Sequence, residues 1–405
     1  MLSARAAIFI ALAGVVPGVA LWASGGHMGT VPDTALFGLA IVSSAFLLAW
    51  AAEASETEIA QGLAVAFVAL IAVLPEYAVD IVFAWKAGGD PAFAPYAAAN
   101  MTGSNRLLLG VGWSTVALLV LISERKRLIR LDRGAAVAVV FLTIATLYSF
   151  TLPLRGAITL VDTALLAVIF AVYAVWAARS GTEEPDLVGP AAAIGALPTV
   201  GRRAVVLALF AFAGIVIVIA AEPFASGLVQ TGKLFGIDEF LLVQWLAPLA
   251  SESPEFIVAA LLAIRGRAAM AFALLLSAKI NQWTLLVGSL ALAYSAGAGT
   301  PSALPLDQRQ IGEVLLTASQ SLFGVAVLAS LTFSIGEAAL LAGLFFAQLV
   351  VGGVLRTALR TTGAGDIELY LFSAAYIVLA AVQLFRARHA LVDFARARRR
   401  PVVTR

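Results

Sequence analysis

Long apolar runs are the feature that most constrains how this chain can fold. A helix needs about 20 apolar residues to cross roughly 30 Å of hydrocarbon, and runs of that length recur between short polar loops. Only 12% of the 405 residues are charged, against about 25% in soluble domains. The sequence therefore predicts an all-α integral membrane protein with about twelve transmembrane helices. The predicted spans are approximately 5–24, 34–58, 63–87, 93–122, 134–153, 158–178, 204–231, 238–264, 268–297, 310–334, 337–359 and 367–386.

The basic residues predict the orientation of these spans. If both termini are placed in the cytoplasm, most of the 26 Lys and Arg residues fall in cytoplasmic loops or the C-terminal tail, as the positive-inside rule requires. We expect a prokaryotic plasma membrane protein whose basic loops contact anionic lipids and not nucleic acid. It could be a monomer or an oligomer. The first span, preceded by Arg5, could alternatively be a cleaved signal peptide, but we favour its retention.

The composition argues against several function classes. The chain has no cysteine, which excludes disulfides, thiol catalysis and Cys-ligated metals. Its two histidines, His27 and His389, fall in a predicted loop and the tail, so an intramembrane histidine-dependent enzyme lacks its base. A P-loop glycine motif is also missing from the sequence, which argues against an ATP-driven pump. We therefore predict that the protein is not an enzyme.

Two halves of the chain align through their polar residues. A Pro-Glu pair recurs at Glu76 and Glu255, "AAE" recurs, and Asn105 matches Asn281. Each repeat holds five predicted spans, an odd number, so the second repeat must be inverted relative to the first, as in many secondary transporters. The predicted organisation is an extra span at 1–33, a first repeat at 34–178, a cytoplasmic linker at 179–203, an inverted second repeat at 204–361, and a final span with a basic tail at 362–405.

Acidic residues are concentrated around the repeated Pro-Glu pairs. Asp80 follows Glu76 by one helical turn and Glu252 precedes Glu255 by a similar distance, so each pair shares a helix face. Each buried charge costs roughly 2.5 to 3.5 kcal/mol on insertion scales, and a bound hard cation would offset that cost. Polar contacts between helices are the alternative explanation, and it weighs most for Asp80.

The stretch "NMTGSN" places two amides, a Thr and a Ser within an otherwise apolar span, from Asn100 to Asn105. Amide and hydroxyl oxygens beside carboxylates suit Ca²⁺ or Na⁺ better than a soft metal. Gly103 would allow a neighbouring helix to approach closely. We predict that the stretch supplies cation ligands, with interhelical hydrogen bonding as the alternative.

In "LPEYAVDIV", "ANMTGSNRLLLG" and "PLASESPEFIVA" the chain resembles the sodium/calcium exchanger family of cation/Ca²⁺ antiporters, over roughly residues 34–361. The resemblance implies cofactor-free antiport of Ca²⁺ against Na⁺ or H⁺ by alternating access, at a midplane site shared by the repeats. It implies that Glu76 and Glu255 are the main carboxylate ligands of the metal ion, together with Asn105, Asn281 and Ser277. The candidate ion-binding set also includes Asp80, Asn100 and Glu252.

Some positions depart from the family pattern. Val73 and Glu252 stand where the family usually has hydroxyl residues, and Lys279 takes the place of Gly103 in the second repeat. We expect Lys279 to pair with Glu252 as a tethered cation, with a static salt bridge as the alternative. The departures leave open a Na⁺/H⁺ or other cation/proton exchanger, or a membrane cation sensor that does not transport. Asp162, Glu313 and Glu337 lie near span ends and are expected to contact water or lipid headgroups.

Overall fold

The computed structural model describes residues 3–55, 73–131, 133–179, 187–355 and 363–398. Within these residues, 11 helices are long and apolar enough to cross a membrane. The predicted span 63–87 lies partly outside the described residues, and its second half forms a helix that begins at Leu74. The structure therefore agrees with about twelve transmembrane helices in an integral membrane protein.

The first half of the chain contains helices α1 to α8. They are α1 (Ala4–Ser24), α2 (Thr30–Ser55), α3 (Leu74–Gly89), α4 (Ala94–Leu107), α5 (Ser114–Glu124), α6 (Arg133–Ser149), α7 (Thr151–Arg155) and α8 (Leu160–Arg179). A π-helical segment, Leu108–Trp113, joins α4 to α5. It begins shortly after Asn105, so the predicted ligand stretch lies on the last turns of α4.

The second half repeats this order after a short connecting helix. The helices are α9 (Pro190–Gly195), α10 (Thr199–Phe235), α11 (Glu239–Ile264), α12 (Ala268–Asn281), α13 (Val287–Ala298), α14 (Gln308–Leu328), α15 (Ile335–Gly353) and α16 (Gly363–Arg398). A second π-helical segment, Gln282–Leu286, joins α12 to α13 directly after Asn281. The two repeats thus share an irregular backbone feature at overlapping positions, because one π-helical segment begins three residues after Asn105 and the other one residue after Asn281.

Four short strands show how the repeats are related. They are β1 (Leu128–Arg130), β2 (Ala157–Ile158), β3 (Leu304–Pro305) and β4 (Thr332–Ser334). β1 pairs with β4 and β2 pairs with β3, both antiparallel. Since β1 is equivalent to β3 and β2 to β4, each pair joins one repeat to the other, as a two-fold axis in the membrane plane requires. The predicted inverted repeats, with one extra helix at each end, are confirmed.

Small residues let the central helices touch backbone to backbone. A Cβ atom on Gly103 would lie 1.8 Å from the Gln244 carbonyl oxygen, so α4 meets α11 at this point. A Cβ atom on Gly297 would lie 2.0 Å from the Trp85 carbonyl oxygen, so α13 meets α3 in the same way. Close crossings at small residues are a common packing mode in membranes. They bring the acidic segments of both repeats to the centre of the protein.

Two acidic residues are more deeply buried than the sequence indicated. Glu313 is 1% exposed and pairs with Arg106. Asp162 is fully buried and accepts hydrogen bonds from Tyr148 and Arg155. The expectation that both contact water or headgroups is wrong, because neighbouring helices supply the donors that water would otherwise provide.

Candidate cation site

The carboxyl groups of the two Pro-Glu pairs are both inside the helix bundle. Glu76 lies in the first turn of α3, where Pro75 removes an N–H that the helix start does not need. Glu252 and Glu255 lie in the middle of α11, on either side of Pro254. The exposed fraction is 2% for Glu76, 3% for Glu252 and 9% for Glu255. Acidic groups from both repeats are therefore withdrawn from water in the same part of the protein.

One side chain joins the acids of the two repeats. The Gln282 Nε2 atom donates to Glu76 Oε2 and to Glu252 Oε1, each at 3.1 Å. Gln282 is itself buried and is the first residue of the second π-helical segment. Sequence reasoning named Asn281 but missed Gln282. The sequence signal that could have identified Gln282 is its amide side chain directly after the repeated Asn281, inside an otherwise apolar span.

Two residues of the "NMTGSN" stretch, Asn100 and Ser104, face the acids. Asn100 Nδ2 donates to Asp80 Oδ1 at 2.9 Å, and both side chains are fully buried. The Ser104 hydroxyl donates to the Asn100 carbonyl oxygen and lies against the carboxyl groups of Glu76 and Glu252. The stretch therefore places amide and hydroxyl groups beside carboxylates from both repeats.

Lys279 is fully buried and has a different partner from the expected one. Its Nζ atom donates to Asn105 Oδ1 at 2.6 Å and to the Asn105 carbonyl oxygen at 3.1 Å. The same atom lies 4.7 Å from the centre of the Trp283 ring, a cation–π distance. The expected direct pairing with Glu252 is therefore replaced by contacts with Asn105. Asn105 on α4 places two oxygens within hydrogen-bond distance of the ammonium group.

The remaining predicted ligands have partners at the edge of this cluster. Tyr77 donates from its hydroxyl to Asn281 Oδ1 at 2.8 Å. The hydroxyl of Ser277 is half-buried and contacts that of Tyr173 on α8. The structure thus groups Glu76 with Glu252, Asp80 with Asn100 and Asn105 with Lys279. It places Asn281 and Ser277 against tyrosines.

Several buried oxygens at this centre accept no hydrogen bond within the described part of the chain. They are Glu76 Oε1, Asp80 Oδ2, Asn100 Oδ1, Glu252 Oε2, Glu255 Oε2 and Gln282 Oε1. Leaving a buried acceptor unmet is costly, and a hard cation would satisfy oxygens of this kind. Among the described residues, no three acidic or histidine side chains converge closely enough to hold a metal by themselves. Both carboxylate and amide oxygens are among the unmet acceptors at this centre.

Comparison with known proteins identifies the family. The sequence profile described as sodium/calcium exchanger protein matches residues 34–179 and 205–352. The chain belongs to this family.

Solved structures resemble this exchanger over most of its length. The H⁺/Ca²⁺ exchanger CAX has 43% sequence identity and a TM-score of 0.89, with 96% of each chain covered. Native YfkE has 16% identity and a TM-score of 0.61, covering 86% of this exchanger and 99% of YfkE. The sodium-calcium exchanger NCX_Mj has 14% identity and a TM-score of 0.52, covering 85% and 99%. At these identities, YfkE and NCX_Mj show only that the fold is shared. No curated protein sequence matches the chain.

A second buried network lies beside the acids of this exchanger. Arg106 Nη1 donates to Glu313 Oε2 at 2.9 Å, and Gln244 Nε2 donates to the same oxygen at 2.9 Å. The Arg106 guanidinium lies 4.9 Å from the centre of the Trp245 ring. Glu313 on α14 thus partners the charge of Arg106. Arg106 follows Asn105 as Gln282 follows Asn281, so equivalent positions hold different chemistry in the two repeats.

Proposed function

We propose that this exchanger is a secondary active antiporter that exports Ca²⁺ in exchange for H⁺ by alternating access. The observation that carries the proposal is the joining of Glu76 and Glu252, from opposite repeats, at a buried centre with unmet carboxylate and amide oxygens. Such a centre suits a transported divalent cation better than an intramembrane reaction. We also propose a prokaryotic plasma membrane location, with both termini in the cytoplasm.

The proposed ligands follow from the chemistry of Ca²⁺, which takes six to eight oxygens. Glu76 and Glu255 would supply the main carboxylates, and Glu252, Asp80 and Asn100 would add oxygens within the same cluster. In the same proposal, Asn105, Asn281 and Ser277 complete the shell after they exchange their present partners. The ligands come from both repeats, so movement of one bundle against the other would open the centre to each side in turn.

Protons are favoured over Na⁺ as the coupling ion by two observations. The H⁺/Ca²⁺ exchanger CAX is 43% identical over nearly the whole chain. In this chain Val73 offers no side-chain oxygen, and Glu252 adds a carboxyl group that can carry a proton. Na⁺ remains the second candidate because the matching family is described as sodium/calcium exchangers.

Uptake of radioactive Ca²⁺ into proteoliposomes tests the proposal. A pH gradient imposed across the membrane should drive Ca²⁺ accumulation, whereas a Na⁺ gradient at equal pH should not. Accumulation driven by Na⁺ alone would make Na⁺ the coupling ion. Ca²⁺ binding without any flux would indicate a sensor and contradict antiport.

Ca²⁺ flux should rise with pH when the pH is equal on both sides of the membrane. Protons and Ca²⁺ compete for the same coupled carboxylates, so lowering the pH protonates the ligands and should raise the Ca²⁺ concentration that gives half-maximal exchange. The measurement is Ca²⁺/Ca²⁺ exchange at several pH values from about 5.5 to 8.5. A flat profile over this range would count against protonation of the site.

Replacing Lys279 with Met should change the number of protons exchanged per Ca²⁺ or the pH optimum. The ammonium group fills a position lined by two Asn105 oxygens, which a mobile cation could occupy once the charge is removed. Stoichiometry can be measured from the membrane potential at which flux reverses. The control is Lys233→Met, which removes an exposed lysine from the end of α10. A folded Lys279→Met protein with unchanged stoichiometry and pH profile would indicate a static role.

A further inference from the structure

The geometry points to Gln282 as a ligand that reverses its amide during transport. Its nitrogen joins Glu76 to Glu252 in this structure, and its oxygen coordinates Ca²⁺ in the Ca²⁺-bound state. This inference rests on the proposed function and assigns a specific role to one residue of the same site.

The present orientation follows from the donors and acceptors involved. An ionised carboxylate only accepts hydrogen bonds, whereas an amide nitrogen carries two hydrogens. Gln282 Nε2 uses one hydrogen for Glu76 and the other for Glu252, both at 3.1 Å. Two carboxylates held near each other repel when ionised, and a shared donor reduces that repulsion. The amide therefore links carboxyl groups of the two repeats.

The same orientation is incompatible with a divalent cation between the two acids. The N–H groups present positive charge to the position that the cation would take, and Ca²⁺ binds oxygen ligands. Gln282 Oε1 is buried and accepts no hydrogen bond from the described residues. The last side-chain torsion of Gln has a broad energy profile, so rotation of the amide can exchange oxygen for nitrogen without moving the backbone.

The backbone at Gln282 supports a functional role. The residue opens the π-helical segment Gln282–Leu286, and single-turn π segments within helices are often found at functional sites. The equivalent residue in the first repeat, Arg106, is held by Glu313 and cannot offer an oxygen from its side chain. The neutral amide that can reverse is therefore present at this position in one repeat only.

Two variants of Gln282 separate reversal from simple cross-linking. Gln282→Glu is close in shape and, when ionised, only accepts hydrogen bonds, and Gln282→Met is similar in size but offers neither donor nor strong acceptor. We expect the Glu variant to bind Ca²⁺ roughly tenfold more tightly than the wild type and the Met variant roughly tenfold more weakly. Both should have a lower Tm in chelator, because both lose the cross-link. Added Ca²⁺ should raise the Tm most in the Glu variant and least in the Met variant.

The measurements are calorimetric Ca²⁺ titration and thermal unfolding of the detergent-purified full-length protein at one fixed pH. Gln230→Glu and Gln230→Met are matched controls at an exposed glutamine of α10, and both should bind Ca²⁺ like the wild type. Equal or absent shifts in the two Gln282 variants would overturn the inference and leave a purely structural cross-link. If the Glu variant does not fold, the Met variant decides, since unchanged or tighter binding would contradict a ligand role. A wild type that binds no Ca²⁺ would overturn the proposed function itself.

Discussion

Replacing Glu76 or Glu255 with Gln should abolish Ca²⁺ exchange and leave the protein folded. Each change removes a carboxylate that we propose as a cation ligand from a buried centre but keeps the side-chain volume and one oxygen acceptor. We expect uptake into proteoliposomes to fall by roughly 100-fold or more, equivalent to about 2.7 kcal/mol of lost cation stabilisation. Folding should tolerate the change because a buried carboxylate costs roughly 2.5 to 3.5 kcal/mol on insertion scales.

The matched control for these variants is Glu222→Gln. Glu222 belongs to the repeated "AAE" motif, but its side chain is exposed and pairs with Lys86, so this variant should transport normally. Asp80→Asn should give an intermediate loss, since Asp80 has Asn100 as a partner within the cluster. Normal transport in either the Glu76 or the Glu255 variant would exclude that residue as a principal ligand.

Replacing Arg106 with Met should lower the free energy of unfolding by about 3 to 5 kcal/mol, the usual effect of removing one partner of a buried ion pair. Arg106 is 1% exposed and lies 2.9 Å from Glu313, which is also 1% exposed. Without the guanidinium, Glu313 keeps the neutral donor Gln244 but loses its buried positive partner. Thermal unfolding of the detergent-purified protein should show a clearly lower Tm.

Two comparisons make the Arg106 result specific. Adding Glu313→Gln to Arg106→Met should recover much of the lost stability, because the buried side chain that lost the guanidinium is then neutral. Arg309→Met breaks a more exposed pair with Asp238, and pairs near water contribute only about 0 to 1 kcal/mol. An Arg106→Met protein as stable as the wild type, or a double variant less stable than the single one, would show that the pair does not stabilise the fold.

The sequence by itself determined the class of protein, the inverted repeats and the family. These properties follow from local sequence patterns, namely the apolar runs and the repeated motifs. Apolar runs report membrane spans because lipid cannot hydrogen-bond the backbone, and an odd number of spans per repeat forces inversion. Glu76 and Glu255 were predicted as ligands in the same way, since a Pro-Glu pair inside an apolar span is unusual in a membrane protein.

Tertiary structure alone decided which buried polar groups are partners. Lys279 meets Asn105 instead of Glu252, and Gln282 joins Glu76 to Glu252. These contacts depend on how far each helix is rotated about its axis and how closely it crosses its neighbour. Neither quantity can be predicted from the sequence between the two partners. A difference of one residue in the crossing point turns a side chain by about 100° around a helix. The burial of Glu313 has the same origin, because its position near a span end revealed nothing of the guanidinium that α4 places beside it.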